Sequence, residues 1–127
     1  MQLLGAEITH VAPGEVDITL PFRADLVQQH GFLHAGVSAA IADSACGYAA
    51  LSLMPADSAV LSVEFKVNML APAKGATFVA RGRIVRAGKT ITVVRAEVVA
   101  IADDESSKVV MELLGTMMTV RNSGLLD

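Results

Sequence analysis

The stretch from Gln28 to Leu53 constrains the fold more than any other part of the sequence, because it alone predicts a long helix. From Gly36 onward the residues are small or apolar on nearly every side, and many of them are alanine, the best helix former. A helix that is apolar all round is expected to be buried. The segments after it have the patterns of β-strands, so we expect a sheet wrapped around this one helix.

Asp43 is an acid in the middle of a helix that otherwise carries no charge. Gly36 and Asp43 are seven residues apart, so they lie within roughly 20° of each other on one helix face and about 10 Å apart along the axis. The unpaired N–H groups near Gly36 favour a carbonyl oxygen or an anion. A site that uses both features therefore needs Asp43 from a second, oppositely directed copy of the helix, which suggests a dimer with a shared site.

The composition fits a single domain over residues 1–127 and excludes several functions. The chain is 53% hydrophobic and 18% charged with a formal net charge of −3, which argues against disorder and against a nucleic-acid partner. No uncharged apolar run is long enough to span a membrane, and the N-terminus lacks the pattern of a signal peptide. The single cysteine fits a reducing compartment. We expect a cytoplasmic protein, and the high apolar fraction suggests that subunits bury surface against each other.

The rest of the chain predicts strands. A short pair is expected from Leu3 to His10 and from Glu15 to Leu20, and a connector with one helical turn leads to the helix, which ends before Pro55. Four longer strands follow as successive hairpins, and the tail from Asn122 to Asp127 is expected to fray. These strands are predicted at residues 59–69, 77–86, 91–102 and 109–120. The result is an α+β fold, an antiparallel sheet curled around one long central helix.

Several of these residues match a known pattern. The segment from Gln28 to Ala45, the later SVEFKVNMLAPAKG and the hairpin RAGKT together resemble the hotdog-fold acyl-CoA thioesterases of the phenylacetate-degradation (PaaI-like) type, over about residues 15–120. Such proteins carry His-Gly-Gly at the helix start and an Asp nine residues after the His. Here His34, Ala35, Gly36 and Asp43 hold those places, so Ala35 departs from the pattern. The resemblance implies a hotdog fold, an acyl-CoA substrate and a homodimer or homotetramer.

The resemblance also implies roles for individual residues in thioester hydrolysis. The Gly36 N–H polarises the thioester carbonyl, and Asp43 activates water or attacks directly. Gln28 holds the place of a family Asn or Gln, and with His34 it positions the thioester or the water. Ser62, assigned to the start of the first strand after the helix, holds the place of a hydroxyl that helps to bind the attacking water. The acyl group is expected to be aryl or medium-chain.

Several of these assignments have a structural alternative. Asp43 is equally explained as a helix acid bonded to a buried arginine or to backbone, and His34 as a loop residue that fixes the helix entry. Arg86, Lys89 and Thr90, at the RAGKT hairpin, either contact the coenzyme A phosphates or are solvated surface residues. Cys46 is interpreted as a core residue, where the nearby carboxylate raises the pKa of its thiol.

Two other functions and a metal site are alternatives to metal-free hydrolysis. A hydratase of the same fold would pair its Asp with a later His, and no His follows Asp43. A metal site at His30 and His34 is disfavoured because the spacing is loose and no third His or Cys is near, so we expect neither a metal nor a cofactor. The remaining alternative is a non-catalytic module that binds acyl-CoA or a small acid, which Ala35 favours and Asp43 disfavours.

Overall fold

The computed structural model describes residues 1–121 and shows one antiparallel sheet of six strands wrapped around one α-helix in that part of the chain. The predicted α+β class and hotdog arrangement are confirmed. The predicted fraying of the tail from Asn122 to Asp127 lies outside the described residues. The elements are β1 (Glu7–Ala12), β2 (Glu15–Pro21), α1 (Ala35–Leu51), β3 (Ser58–Met69), β4 (Thr77–Ala87), β5 (Ile91–Ile101) and β6 (Ser107–Arg121), with 3-10 turns at Gln2–Leu4 and Ala24–Leu26.

The strand order is β1-β2-β4-β5-β6-β3, which corrects one part of the prediction. Strands β4, β5 and β6 are joined by hairpins as expected, but β3 pairs with β6 and lies at the edge of the sheet. The chain after β3 therefore crosses to β4 instead of turning back as a hairpin. Alternation of apolar and polar residues shows that a segment is a strand, but it carries no information about the partner of that strand.

The first strand also begins later than predicted. Residues Gln2–Leu4 form a 3-10 turn that ends at Gly5, whose φ of +78° is left-handed. Strand β1 therefore starts at Glu7 and not at Leu3. Its antiparallel pairing with β2 is confirmed, with Val11 opposite Val16 across the predicted turn.

The core lies between α1 and the concave face of the sheet, and α1 contacts every strand from β2 to β6. The approach is closest at Gly82 on β4, where an added Cβ would lie 2.5 Å from the backbone carbon of Ala45. Only glycine leaves room for the helix at this point. The largest fully buried core side chains include Ile18, Leu20, Ile41, Phe78, Met111, Leu113 and Met117.

The helix is buried on one face only, so the prediction that it is buried on every side is wrong for the isolated chain. Its buried residues are Ser38, Ile41, Ala42, Ala45, Cys46, Ala49 and Ala50. The opposite face, which carries Asp43, Ser44, Gly47 and Tyr48, remains half-exposed or exposed. The sequence hides this difference because the open face has several small residues and a single charged one, Asp43. In the described part of the chain, no helix has the length and apolarity needed to cross a membrane.

Candidate active site

Asp43 lies on the open face of α1, next to the edge strand β3. The Oγ atom of Ser62 donates a hydrogen bond of 2.7 Å to Asp43 Oδ1, and it lies 3.3 Å from the Sδ atom of Met117 on β6. Within residues 1–121, nothing donates a hydrogen bond to Asp43 Oδ2. The carboxylate therefore has one oxygen held in place and one oxygen available to another molecule.

Ser62 lies directly before an irregularity in β3. Ser62 is opposite Met117, and the register with β6 shifts between Ser62 and Glu64. Such bulges re-aim side chains and are common beside active sites. Ser62 is the fifth residue of β3, further along the strand than the sequence assignment placed it. Its contact with Asp43 adds a positioning role to the predicted role of holding water, which stays a prediction.

A cavity of about 250 Å³ lies beside the carboxylate. Four of the residues that line it were not predicted as site residues: Ser44, Gly47, Tyr48 and Val60. A signal for Gly47 was present, because residues four apart share a helix face and Gly47 follows Asp43 by four. The cavity is lined by Asp43, Ser44, Gly47, Tyr48, Val60 and Ser62.

Gln28 and His34 line a separate cavity of about 500 Å³. The side-chain oxygen of Gln28 accepts a hydrogen bond from the His30 N–H, which fixes the loop before the helix. His34 is the N-cap residue, and its backbone oxygen accepts hydrogen bonds from Val37 and Ser38. The structure thus brings Gln28 and His34 together, but in a different cavity from Asp43.

Gly36 presents a donor to the outside of the chain. It is exposed, and its N–H, like that of Ala35, donates to no acceptor in the described part of the chain. The cavities that hold His34 and Asp43 share no lining residue. Within one chain the two predicted halves of the site are therefore apart, as the helix geometry requires. That a second subunit joins them stays a prediction.

Cys46 is fully buried, as predicted. Burial and, to a smaller extent, the charge of Asp43 raise the pKa of its thiol to about 12, while a hydrogen bond from the Arg83 backbone acts in the opposite direction. The sequence identified the effect of the carboxylate but not the larger effect of burial. A thiol with this pKa is not a nucleophile near neutral pH.

Arg86, Lys89 and Thr90 are exposed at the hairpin between β4 and β5. Backbone contacts fix the hairpin, because Thr90 accepts a hydrogen bond of 2.8 Å from the Thr119 N–H. The hairpin is close to Ser62 in the sheet, since Met117 is opposite both Ser62 and Thr92. Neighbouring strands are about 4.8 Å apart, and β6 lies between β3 and β5, so Ser62 and Thr92 are roughly 10 Å apart across the sheet. The contact of Arg86, Lys89 and Thr90 with coenzyme A stays a prediction.

Another cavity, of about 620 Å³, is lined by no predicted site residue. Its lining includes Phe22, Lys74 and Asp103, at the end of the sheet where β2 and β5 finish. The cavity of about 250 Å³ is the candidate site because Ser62 holds one oxygen of the Asp43 carboxylate beside it. Among the described residues, no three His, Cys, Asp or Glu side chains come close enough to share a metal ion.

Comparison with known proteins shows a family and several structures to which this chain is similar. The model of the thioesterase superfamily matches residues 30–107. A solved thioesterase family protein from Silicibacter pomeroyi is 45% identical, with a TM-score of 0.94 over 96% of this chain and 89% of that one. The 1,4-dihydroxy-2-naphthoyl-CoA hydrolase of Listeria monocytogenes is 28% identical over 72% of this chain and 75% of its own length. The PaaI protein of E. coli shares the fold, with a TM-score of 0.81 over 94% of this chain and 82% of that one at 22% identity.

Proposed function

The chain belongs to the thioesterase superfamily, and we propose that it hydrolyses acyl-CoA thioesters to a free carboxylic acid and coenzyme A. The observation that carries the proposal is the Asp43 carboxylate, which Ser62 holds at one oxygen beside a cavity on the open face of α1. Thioester hydrolysis needs such a carboxylate as base or nucleophile. The similarity to a protein named as a hydrolase of a CoA thioester supports coenzyme A as the leaving group.

The proposed reaction uses two groups that have no hydrogen-bond partner in the described part of the chain, Asp43 Oδ2 and the Gly36 N–H. Asp43 Oδ2 takes a proton from water, and the water oxygen adds to the thioester carbonyl carbon. The negative charge that develops on the carbonyl oxygen is stabilised by the Gly36 N–H at the positive end of the helix. The carbon–sulfur bond then breaks, and the coenzyme A sulfur receives the proton from Asp43.

An alternative first step uses Asp43 as the nucleophile. Oδ2 then attacks the carbonyl carbon, coenzyme A leaves, and water hydrolyses the resulting acyl–aspartyl anhydride. A single turnover in ¹⁸O-labelled water establishes the anhydride route if the label enters Asp43, because only attack of water on the aspartyl carbonyl of the anhydride places it there. Label in the acid product alone is the result for a general base and also for an anhydride that water attacks on the acyl side.

The site is assembled from two subunits in this proposal. Gly36 and Asp43 of one chain are too far apart to act on one thioester, so the partner supplies the Gly36 N–H. Two surfaces support an assembly: the open face of α1, and the edge strand β3, which exposes the apolar side chains of Val63 and Phe65. We propose a homodimer as the minimal unit, which can pair further into a homotetramer.

The first test measures thiol release from short, medium, long and aryl acyl-CoAs by the wild type and by Asp43→Asn. The substitution keeps the size of the side chain and removes its charge, and we expect a loss in kcat of about a hundredfold or more. Asp57→Asn, an exposed acid in the loop before β3, is the matched control. Full activity in Asp43→Asn refutes the mechanism, and coenzyme A binding without turnover by the wild type favours a binding module.

The second test addresses the shared site. Gly36→Pro removes the N–H without removing an intrahelical hydrogen bond, because the first-turn N–H groups have no partner in the helix. Asp43→Asn and Gly36→Pro subunits are unfolded together, mixed in equal amounts and refolded. Random pairing restores one intact site in each mixed dimer, so about a quarter of the wild-type activity is expected. No recovery, with mixed dimers shown to form, places each site within one chain.

A further inference from the structure

Met117 is a buried methionine whose sulfur reaches the carboxylate site. Its side chain is fully buried on the concave face of β6, and the residue is opposite Ser62 where β6 pairs with β3. The Sδ atom lies 3.3 Å from Ser62 Oγ, the atom that also donates the 2.7 Å hydrogen bond to Asp43 Oδ1. The Ser62 hydroxyl therefore has two acceptors within reach and only one proton to donate.

The two acceptors differ in strength. A carboxylate oxygen accepts a short, charge-assisted hydrogen bond, whereas a thioether sulfur is a weak acceptor. The two distances follow this order, so the proton of Ser62 goes to Asp43. A carbonyl or carboxylate oxygen at the place of Met117 Sδ would compete with Asp43 for this proton. The sulfur contacts the hydroxyl without such competition.

Ser62 needs support because of its place in the sheet. It is an exposed residue of the edge strand β3, directly before the point where the register with β6 shifts. A serine side chain has three staggered positions about χ1, and the contacts with Asp43 and Met117 occur together in one of them. A methionine side chain is flexible and polarisable, so it fills an irregular space of this kind.

We propose that Met117 is a positioning residue for thioester hydrolysis, whose thioether packs against Ser62 Oγ and holds the hydroxyl in the orientation that donates to Asp43. The inference rests on the proposed function and adds a residue to it. Met117 is fully buried, so it does not touch the substrate itself. Its effect passes through Ser62 and is therefore smaller than the effect of removing the Ser62 hydroxyl.

The test is a double-mutant cycle between Met117 and Ser62 in the thiol-release assay. Met117→Leu removes the sulfur and conserves the volume of the side chain, and Met117→Ile is a second variant of the same kind. Each is measured alone and together with Ser62→Ala. Met111→Leu is the matched control, because Met111 is also fully buried on the concave face of β6 but is opposite Met69. Thermal unfolding shows that each variant is folded.

We expect kcat to fall about three- to tenfold in Met117→Leu, with KM changed by less than about twofold, and Met111→Leu to stay within about twofold of the wild type. In the Ser62→Ala background, Met117→Leu is expected to cause no further loss. An equal loss from Met117→Leu with and without the Ser62 hydroxyl overturns the inference, because it assigns the effect to general repacking of the core. Wild-type kcat in both Met117 variants overturns it as well.

Crystal structures of the wild type and of Met117→Leu give a readout that does not depend on activity. We expect Ser62 Oγ to leave hydrogen-bond distance of Asp43 Oδ1 in the variant, and an unchanged hydrogen bond overturns the inference. If the wild type hydrolyses no acyl-CoA, the proposed function fails. The structural readout then decides by itself whether Met117 positions Ser62.

Discussion

Substituting Gly82 with alanine tests how the sheet positions the helix that carries Asp43. The added Cβ would lie 2.5 Å from Ala45 C, 2.6 Å from Ala45 O and 2.7 Å from Cys46 N. All three are backbone atoms inside α1, so no side-chain rotation relieves the overlap. The helix must move about 1 Å away from β4 before the contact becomes ordinary.

The loss in the free energy of unfolding of Gly82→Ala follows from this geometry. Overpacking a core costs about 1–3 kcal/mol, and a clash with helix backbone belongs at the upper end of that range. Replacing a strand glycine by alanine returns about 0.5–1 kcal/mol through the lower entropy of the unfolded chain. The net loss is about 2 kcal/mol, which lowers the Tm of a domain of this size by roughly 8 °C. A 1 Å displacement of α1 also breaks the 2.7 Å hydrogen bond between Ser62 and Asp43, so kcat is expected to fall.

Urea unfolding and thermal unfolding at one fixed protein concentration measure this loss, since assembly makes stability depend on concentration. Gly47→Ala is the matched control, because its Cβ meets open space and the substitution is expected to raise stability by up to about 1 kcal/mol. If Gly82→Ala unfolds at or above the wild-type temperature, the close approach of α1 to β4 does not set the position of Asp43.

Three further predictions concern the site and its surroundings. Ser62→Ala removes a hydrogen bond to a carboxylate, which is worth about 1.5–3 kcal/mol. We therefore expect kcat in the thiol-release assay to fall about tenfold to a hundredfold. Ser62→Thr keeps the hydroxyl and is expected to retain most of the wild-type kcat. Folding raises the pKa of the Cys46 thiol from 9.0 to about 12. As pH rises from 9 to 12, the unfolded chain loses this proton before the folded chain does, so the free energy of unfolding is expected to fall. Urea unfolding across this pH range measures the slope. If Arg86 and Lys89 contact the coenzyme A phosphates, Arg86→Gln with Lys89→Gln raises KM, with little change in kcat and a weaker dependence on salt.

Each of these predictions has a result that contradicts it. Wild-type kcat in Ser62→Ala would show that the carboxylate does not depend on this hydrogen bond. A slope between pH 9 and 12 that persists in Cys46→Ala would assign it to another group. An unchanged KM in the double variant of Arg86 and Lys89 would leave these residues as solvated surface charges.

The central parts of the fold were accessible from the sequence because each depends on local signals. The helix begins at Ala35 and ends at Leu51, as its composition predicts, and the later strands follow the alternation of apolar and polar residues. The contact between Asp43 and Ser62 was not derivable from spacing, since the two residues lie on different elements that meet only in the folded chain. The family resemblance named both residues, but only the folded chain shows the hydrogen bond.

The strand order and the open face of α1 were not accessible, for a physical reason that they share. The strand order and the open face of α1 both depend on which surfaces contact each other. A pattern of apolar residues indicates only that a surface is buried, and not what buries it. A helix face of small residues is compatible with burial against a sheet, a substrate or a second subunit. The added Cβ separates these cases: at Gly82 it meets the helix of its own chain, and at Gly47 it meets almost nothing. Two glycines that look alike in the sequence therefore have different surroundings, since one lies against the helix in the core and the other lies on a face that its own chain leaves open.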